Sequence, residues 1–279
     1  MKLQPKEHYL TKDELRAVQL TELELLCEVD RICRKCGLTY RIVAGTLLGA
    51  VRHDGFIPWD DDADVAFLRE EYEQFRTACE TELDTSRFYF QDHRNTPGYR
   101  WGYGKLRRKN TDFIRLNQEH MPYEQGIFID LFPYDYVPDN IILRQIHCFK
   151  CFLYRKAFWA PVGKNVSKGL PELVYKLLDS IPEDKLYKSF EEFVDASNKR
   201  ESKWIRILTF PTPTWDHGYK LIWADETAEY TFEGKKLFGP KEYDDYMSFK
   251  FGDYMKLPPE SERKTHPVSK LKLIFKDEN

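Results

Sequence analysis

The sequence predicts an α+β fold, a mixed sheet with packed helices, plus a mainly helical C-terminal extension. Three observations point there. Residues 38–68 read as strand, small-residue turn, short helix, loop and strand. Extended segments at 87–91, 99–107, 111–116 and 126–133 follow, separated by turns. From 141 to 199 the apolar spacing changes to the helical period. We place the catalytic core with its N-terminal helix at 1–137, and the helical insertion and C-terminal extension at 138–279.

The bulk numbers narrow the function classes. The chain has 279 residues, 42% hydrophobic and 15% aromatic, enough for a sizeable core. Its net charge of −3 gives no electrostatic footprint for nucleic acid. Residues 1–6 lack the apolar core of a signal peptide, and no apolar run is long enough to span a bilayer. The expected location is cytoplasmic, with peripheral contact at the inner face of a membrane as an option.

Thr11-Lys12-Asp13-Glu14 matches a capping box and starts a helix. Leu15, Val18, Leu25, Leu26, Val29, Ile32, Cys33 and Cys36 share its apolar face, and Gly37 ends it. Thr39–Ala44 is the first strand; Gly45-Thr46 turns the chain into a short helix ending near Arg52-His53. Gly55 and Pro58 break the path before Asp60-Asp61-Asp62-Ala63-Asp64, which opens a strand to Leu68. Glu70–Leu83 is helical. Ile141–Ala160 is a helix carrying Ile142, Ile146, Phe149 and Leu153 on one stripe, with Arg144, Lys150, Arg155 and Lys156 around it. We read it as a buried helix with solvated basic edges; the alternative is a helix lying on an anionic membrane. Helices at 170–178 and 183–199, extended pieces at 204–210 and 229–238, and a helix at 243–251 complete the chain.

Two C-x-x-C pairs, Cys33/Cys36 and Cys148/Cys151, admit a zinc reading. Both sit in helical patterns, and the two pairs are far apart in sequence, so we read them as helical cysteines.

The chemistry concentrates between Gly45 and Asp64. Burying several carboxylates side by side is costly unless a cation shares them. Strand parity turns Asp62 and Asp64 to one face, about 6.5–7 Å apart. Asp60 shares that parity; Asp61 does not, and either supports the others from behind or faces solvent. Asp130, inside the apolar run Gly126-Ile-Phe-Ile-Asp-Leu-Phe132, is the distant partner. Oxygen ligands of this kind select Mg²⁺ or Mn²⁺. Gly45 and Thr46 at a helix N-terminus offer a phosphate seat. Arg52, His53 and Lys105 are candidate phosphate contacts, although His53 also reads as a satisfied helix-end histidine. Trp59 or Phe56 is a candidate base-stacking residue, with core packing expected for at least one of them. Together these features form a nucleotidyltransferase-type metal site.

The run from Gly45 to Asp64 resembles the signature of the LicD family, the phosphorylcholine transferases related to fukutin. Gly126–Phe132 and the tail Phe251-Gly-Asp-Tyr-Met-Lys-Leu-Pro-Pro259 with His266 extend the resemblance. It implies a polymerase-β-like nucleotidyltransferase fold and transfer of a phospho-alcohol from a CDP-activated donor to a sugar hydroxyl. In the bacterial members that means phosphocholine from CDP-choline, passed to a teichoic acid, lipopolysaccharide or other surface-glycan precursor, including a lipid-linked one. Fukutin-like relatives use CDP-ribitol, so the motif leaves the alcohol open. Choline recognition calls for an aromatic cage, whose members the sequence does not single out. The alternatives are a nucleotidyltransferase that makes the CDP-alcohol, a sugar-nucleotide glycosyltransferase using Asp-x-Asp, and a non-catalytic zinc-binding interaction protein.

Overall fold

The structure, a computed structural model, describes residues 7–212 and 214–274. The first six residues, read above for a signal peptide, lie outside that range. Among the described residues there are eight α-helices and eleven strands.

Helix α1 (Lys12–Cys36) starts on the expected capping box, with Thr11 and Glu14 exchanging side-chain and backbone bonds. Gly37 closes it in the left-handed region at φ 67°, where a Cβ would be strained. Its apolar stripe from Leu15 to Cys33 is buried, so truncating Leu25 to Ala would cost about 2–5 kcal/mol. Strand β1 (Arg41–Ile42) is shorter than the sequence suggests, because the chain turns at Ala44 into α2 (Ala44–His53). Ala44 itself has φ 50°, an uncommon backbone state for a residue with a Cβ. The Tyr246 hydroxyl accepts its N–H at 3.3 Å.

Strand β2 (Asp64–Leu68) leads into α3 (Arg69–Glu82), then β3 (Phe88–Gln91), β4 (Gly104–Arg108) and β5 (Asp112–Arg115). Strand β6 (Phe128–Val137) is central. It lies parallel to β2 and antiparallel to β4, giving the order β1-β2-β6-β4-β3. Beyond Pro133 it continues and pairs with β7 (Trp204–Arg206), which pairs with β8 (Tyr219–Lys220). The sequence reading ended this strand at Pro133 and took residue 135 onward as a turn. Pro133 is tolerated because it falls between Leu131, the last residue paired to β4, and Asp135, the first paired to β7. Asp135 is buried and accepts two bonds from Arg69, at 2.7 and 2.8 Å.

Helices α4 (Ile141–Val166), α5 (Leu170–Asp179) and α6 (Glu183–Asn198) follow. Cys151, Phe158, Tyr187 and Phe190 form a second small core between α4 and α6. After β8 come α7 (Ile222–Asp225) and the hairpin of β9 (Thr227–Phe232) and β10 (Lys235–Pro240), turning at Glu233-Gly234. Helix α8 (Tyr243–Phe251) and β11 (Val268–Lys272), which pairs with β5, end the described chain. Phe232, Leu237, Tyr246 and Met247 enter the same core as α1 and β2.

Alternation along the strands divides the sheet into two chemistries. Val65, Phe67, Phe90, Leu106, Ile129 and Leu131 belong to the main core. Asp64, Asp130 and Lys105 have the opposite parity.

Candidate active site

The register makes those three residues one row. Asp64 is opposite Asp130 across the parallel β2–β6 pair, and Asp130 is opposite Lys105 across β6–β4. Directly paired residues share a face of the sheet. The Lys105 ammonium pairs with the Asp130 carboxylate and lies 3.5 Å from the centre of the Phe128 ring. Burial pushes Lys105 down to about 8, against the opposing pull of Asp130.

The neighbouring carboxyls crowd one another. Burial raises Asp64 well above the ordinary carboxylate range, and Asp62 and Asp130 raise it further. Asp60 is raised by burial, then by Asp62 and Asp64. Burial also raises Asp130, against the effect of Lys105. Asp60, Asp64 and Asp130, each raised by burial and by Asp62, form a crowded acidic site.

Asp61 behaves differently. It is buried, which corrects the solvent-facing option in the sequence reading. Arg115 Nη1 donates to it at 2.6 Å, the His266 N–H donates at 3.1 Å, and His266 Nδ1 lies 2.7 Å from its other oxygen. Burial works to raise Asp61, but His266 and Arg115 outweigh it and hold the carboxyl below its usual value. His266 is raised in return, chiefly by its bond to Asp61. Among the described residues, the ligand atoms of Asp61, Asp62 and His266 come within 4.8 Å of one another, an arrangement able to hold a metal ion. Both Asp61 oxygens are already engaged, so Asp62 is the less committed carboxylate of the three.

A cavity of about 710 Å³ opens beside this row; Asp130 and Lys105 line it, whereas Asp64, Asp60, Gly45 and Thr46 do not. Asp62, Asp130, Lys105, Arg115 and His266 line one side. Arg155, Lys156 and Trp159 of α4 line it as well, together with Trp101, Tyr103 and Phe210. The Trp101 and Trp159 rings stand 5.7 Å apart, tilted at 47°.

The other sequence candidates sit elsewhere. Gly45 approaches Asp60 so closely that a Cβ would strike its carboxylate. The Thr46 hydroxyl accepts the Asp64 N–H at 2.7 Å, tying the start of α2 to the start of β2. Arg52 donates to the Tyr254 carbonyl at 2.6 Å and to His53 Nε2 at 3.0 Å. Trp59 lies under the Arg263 guanidinium, 5.1 Å from ring centre. Arg52, His53 and Trp59 are not among the cavity-lining residues; Arg52 and Trp59 touch the 252–263 segment, and His53 contacts Arg52 and the edge of Trp59. Phe56 packs edge-on against Phe232 in the core. The cysteine pairs lie on α1 and α4, where Cys33 is buried and Cys36 exposed.

Sequence reasoning assigned no role to Arg115, His266 or Glu22. Glu22 is fully buried on α1 and neither carboxylate oxygen has a hydrogen-bond partner. Burial raises it far above its ordinary value, with Asp62, Asp61 and Asp60 adding to the effect. The signal was available: Glu22 follows Val18 by four residues and precedes Leu25 by three, so it interrupts the apolar stripe.

Residues 37–163 match the family model described as LicD/FKTN/FKRP, nucleotidyltransferase domain. That stretch is similar to the LicD family's domain. The LicD match contains all four crowded carboxylates, Asp60, Asp62, Asp64 and Asp130, together with Lys105 and Arg115. The lipopolysaccharide cholinephosphotransferase LicD of Haemophilus influenzae is 27% identical over 95% of this chain and all of its own length. An uncharacterized Rickettsia typhi protein is 40% identical over 20% of this chain and 18% of its own. One from Rickettsia prowazekii is 42% identical over 19% of this chain and 20% of its own.

Proposed function

We propose that this chain transfers a phospho-alcohol, phosphocholine from CDP-choline in the first instance, to a hydroxyl of a cell-surface glycan precursor and releases CMP. The observation that carries the proposal is the Asp64–Asp130–Lys105 row beside a large cavity, in a stretch similar to the LicD family's domain. The full-length likeness to a lipopolysaccharide cholinephosphotransferase supports phosphocholine as the group and a lipopolysaccharide precursor as the acceptor class; a teichoic acid precursor is the other acceptor of this proposal. The family model's own description supports reading β1-β2-β6-β4-β3 with α2 and α3 as a nucleotidyltransferase-like core.

The crowded carboxyls fit a divalent cation, since their mutual repulsion is what such an ion relieves and all their donors are oxygen. Asp62, Asp64 and Asp130, with Asp60 beside them, would hold Mg²⁺ or Mn²⁺; when bound, the ion neutralises the donor diphosphate. The Thr46 hydroxyl accepts from Asp64 and keeps its own proton to donate to a diphosphate oxygen. Lys105 offers a buried cation to the phosphoryl group. In the alternative to holding the ion, Asp130, its carboxyl raised by burial, accepts the proton of the attacking hydroxyl. The acceptor oxygen then bonds to phosphorus as the bond to the CMP oxygen breaks. Arg52 and Trp59 contribute by fixing the 252–263 segment, and His53 by contacting both.

In this proposal the 138–279 region supplies the acceptor side, because Arg155, Lys156, Trp159 and Phe210 line the cavity from there. The enzyme acts at the inner face of a membrane, where a lipid-linked glycan would be presented.

The test is product analysis with CDP-choline, CDP-ribitol and CDP-glycerol, each with Mg²⁺ and an acceptor glycan. Release of CMP with phospho-alcohol on the glycan supports the reading. Nucleotide on the acceptor, or CDP-alcohol formed from CTP, would replace it with a nucleotidyltransferase.

A further inference from the structure

Helices α4 and α5 pack together, and their outer face has no partner among the described residues. The sequence reading put the Ile142, Ile146, Phe149 and Leu153 stripe inside the protein; the structure puts all four in solvent. The reason is that α4 packs on α6 through its other side, with Cys151, Ala157 and Phe158. Helix α5 has no buried residue. Its stripe of Leu170, Leu173, Val174 and Leu177 faces outward, with Leu170 74% and Leu177 72% exposed. Tyr175 holds α5 to α4, its ring lying on Gly163 and its hydroxyl accepting from Lys156 at 3.1 Å. No helix among the described residues is long and apolar enough to cross a membrane.

The charge on this pair is one-sided. Residues 141–180 carry seven Lys and Arg against two acids, in a chain whose net charge is −3. Both acids are matched within the pair, Glu172 by Lys176 at 2.6 Å and Asp179 by Lys164. Lys150 and Lys168 remain exposed. An apolar face set among uncompensated cations suits an anionic lipid surface, where the aliphatic side chains enter the acyl boundary and the lysines meet the headgroups. A second copy of the chain would bring cation against cation.

One edge of the face reaches the candidate active site: Phe149 stacks on Phe152 with ring centres 6.4 Å apart. A hollow of about 290 Å³, lined by Phe152, Arg155, Phe210 and the 85% exposed Trp215, adjoins it. Arg155, Phe210 and Pro211 line both that hollow and the large cavity.

We infer that the outer face of α4 and α5 docks on an anionic bilayer and brings the cavity mouth to the lipid surface. This deepens the proposed function, since it rests on an acceptor held at a membrane. The test is sedimentation with vesicles of phosphatidylcholine alone and of phosphatidylcholine mixed equally with phosphatidylglycerol, without donor or acceptor. The protein should bind the mixed vesicles, and Leu173→Glu with Leu177→Glu should weaken that binding roughly tenfold or more. Lys150→Glu with Lys168→Glu should remove the preference for anionic lipid. All four side chains are exposed, so circular dichroism should be unchanged. Failure of the wild type to bind, or a solution dimer that the leucine variants convert to monomer, overturns the inference. CMP release on a soluble acceptor fragment is scored separately, so vesicle binding without CMP release sinks the transfer reading alone.

Discussion

Asp64 and Asp130 are register partners on parallel strands, 66 residues apart in sequence and directly opposite in the sheet. Burial, Asp62 and Asp130 raise Asp64, and burial and Asp62 raise Asp130 against the pull of Lys105. Asp64→Asn and Asp130→Asn should each lower kcat/KM for CMP release by about a thousandfold or more, and the double variant should be little worse than either. Thermal unfolding of metal-free Asp64→Asn should stay level or rise, because a repulsive charge is gone, whereas Asp130→Asn should lower Tm, because it leaves the buried Lys105 ammonium without its partner. A large loss of Tm with retained activity would assign the pair to structure.

Arg115 and His266 make the opposite kind of contact with Asp61. Arg115→Met leaves a buried carboxylate short of its permanently charged partner, which should cost about 3–5 kcal/mol by denaturant unfolding. His266→Ala should cost less, because Arg115 still compensates Asp61. Equal costs would mean that the histidine carries more of the pairing than its exposed position suggests.

Glu22 should set an alkaline slope in stability. Its folded-state value lies far above its unfolded one, so the folded protein binds the extra proton. The group therefore supports folding most fully at acid pH and loses that contribution as pH rises above the ordinary Glu value. In metal-free protein, Glu22→Gln should match the wild type near pH 4.5 and exceed its Tm increasingly toward pH 8. Parallel Tm curves for the two proteins would refute this.

Gly45 and Gly49 predict a split. A Cβ at Gly49 would strike the Gly55 carbonyl, a backbone group that cannot step aside. Gly49→Ala should therefore destabilise the protein by about 1–3 kcal/mol. At Gly45 the obstruction is the Asp60 side chain, which can rotate. Gly45→Ala should spare Tm and weaken Mg²⁺ dependence of CMP release instead.

Local rules were enough for much of the chain. The Thr11–Glu14 box, the Gly37 stop, the Glu233-Gly234 turn and the Tyr243–Phe251 helix are decided by residues within a few positions of one another, so the sequence states them directly. The side-chain alternation of strands likewise put Asp64, Asp130 and Lys105 on defined faces before any pairing was known. Three things depended on contacts distant in sequence. Register placed Asp130 between Asp64 and Lys105, and a second partner strand carried β6 past Pro133. Arg115 and His266 reached Asp61 only because β5 and β11 pair, so its burial was not written in its own neighbourhood. The apolar stripe of α4 has the same helical period whether buried or exposed; only the packing of α6 on its other side left it facing solvent. Periodicity fixes which side chains share a face, but what covers that face is decided by the rest of the molecule.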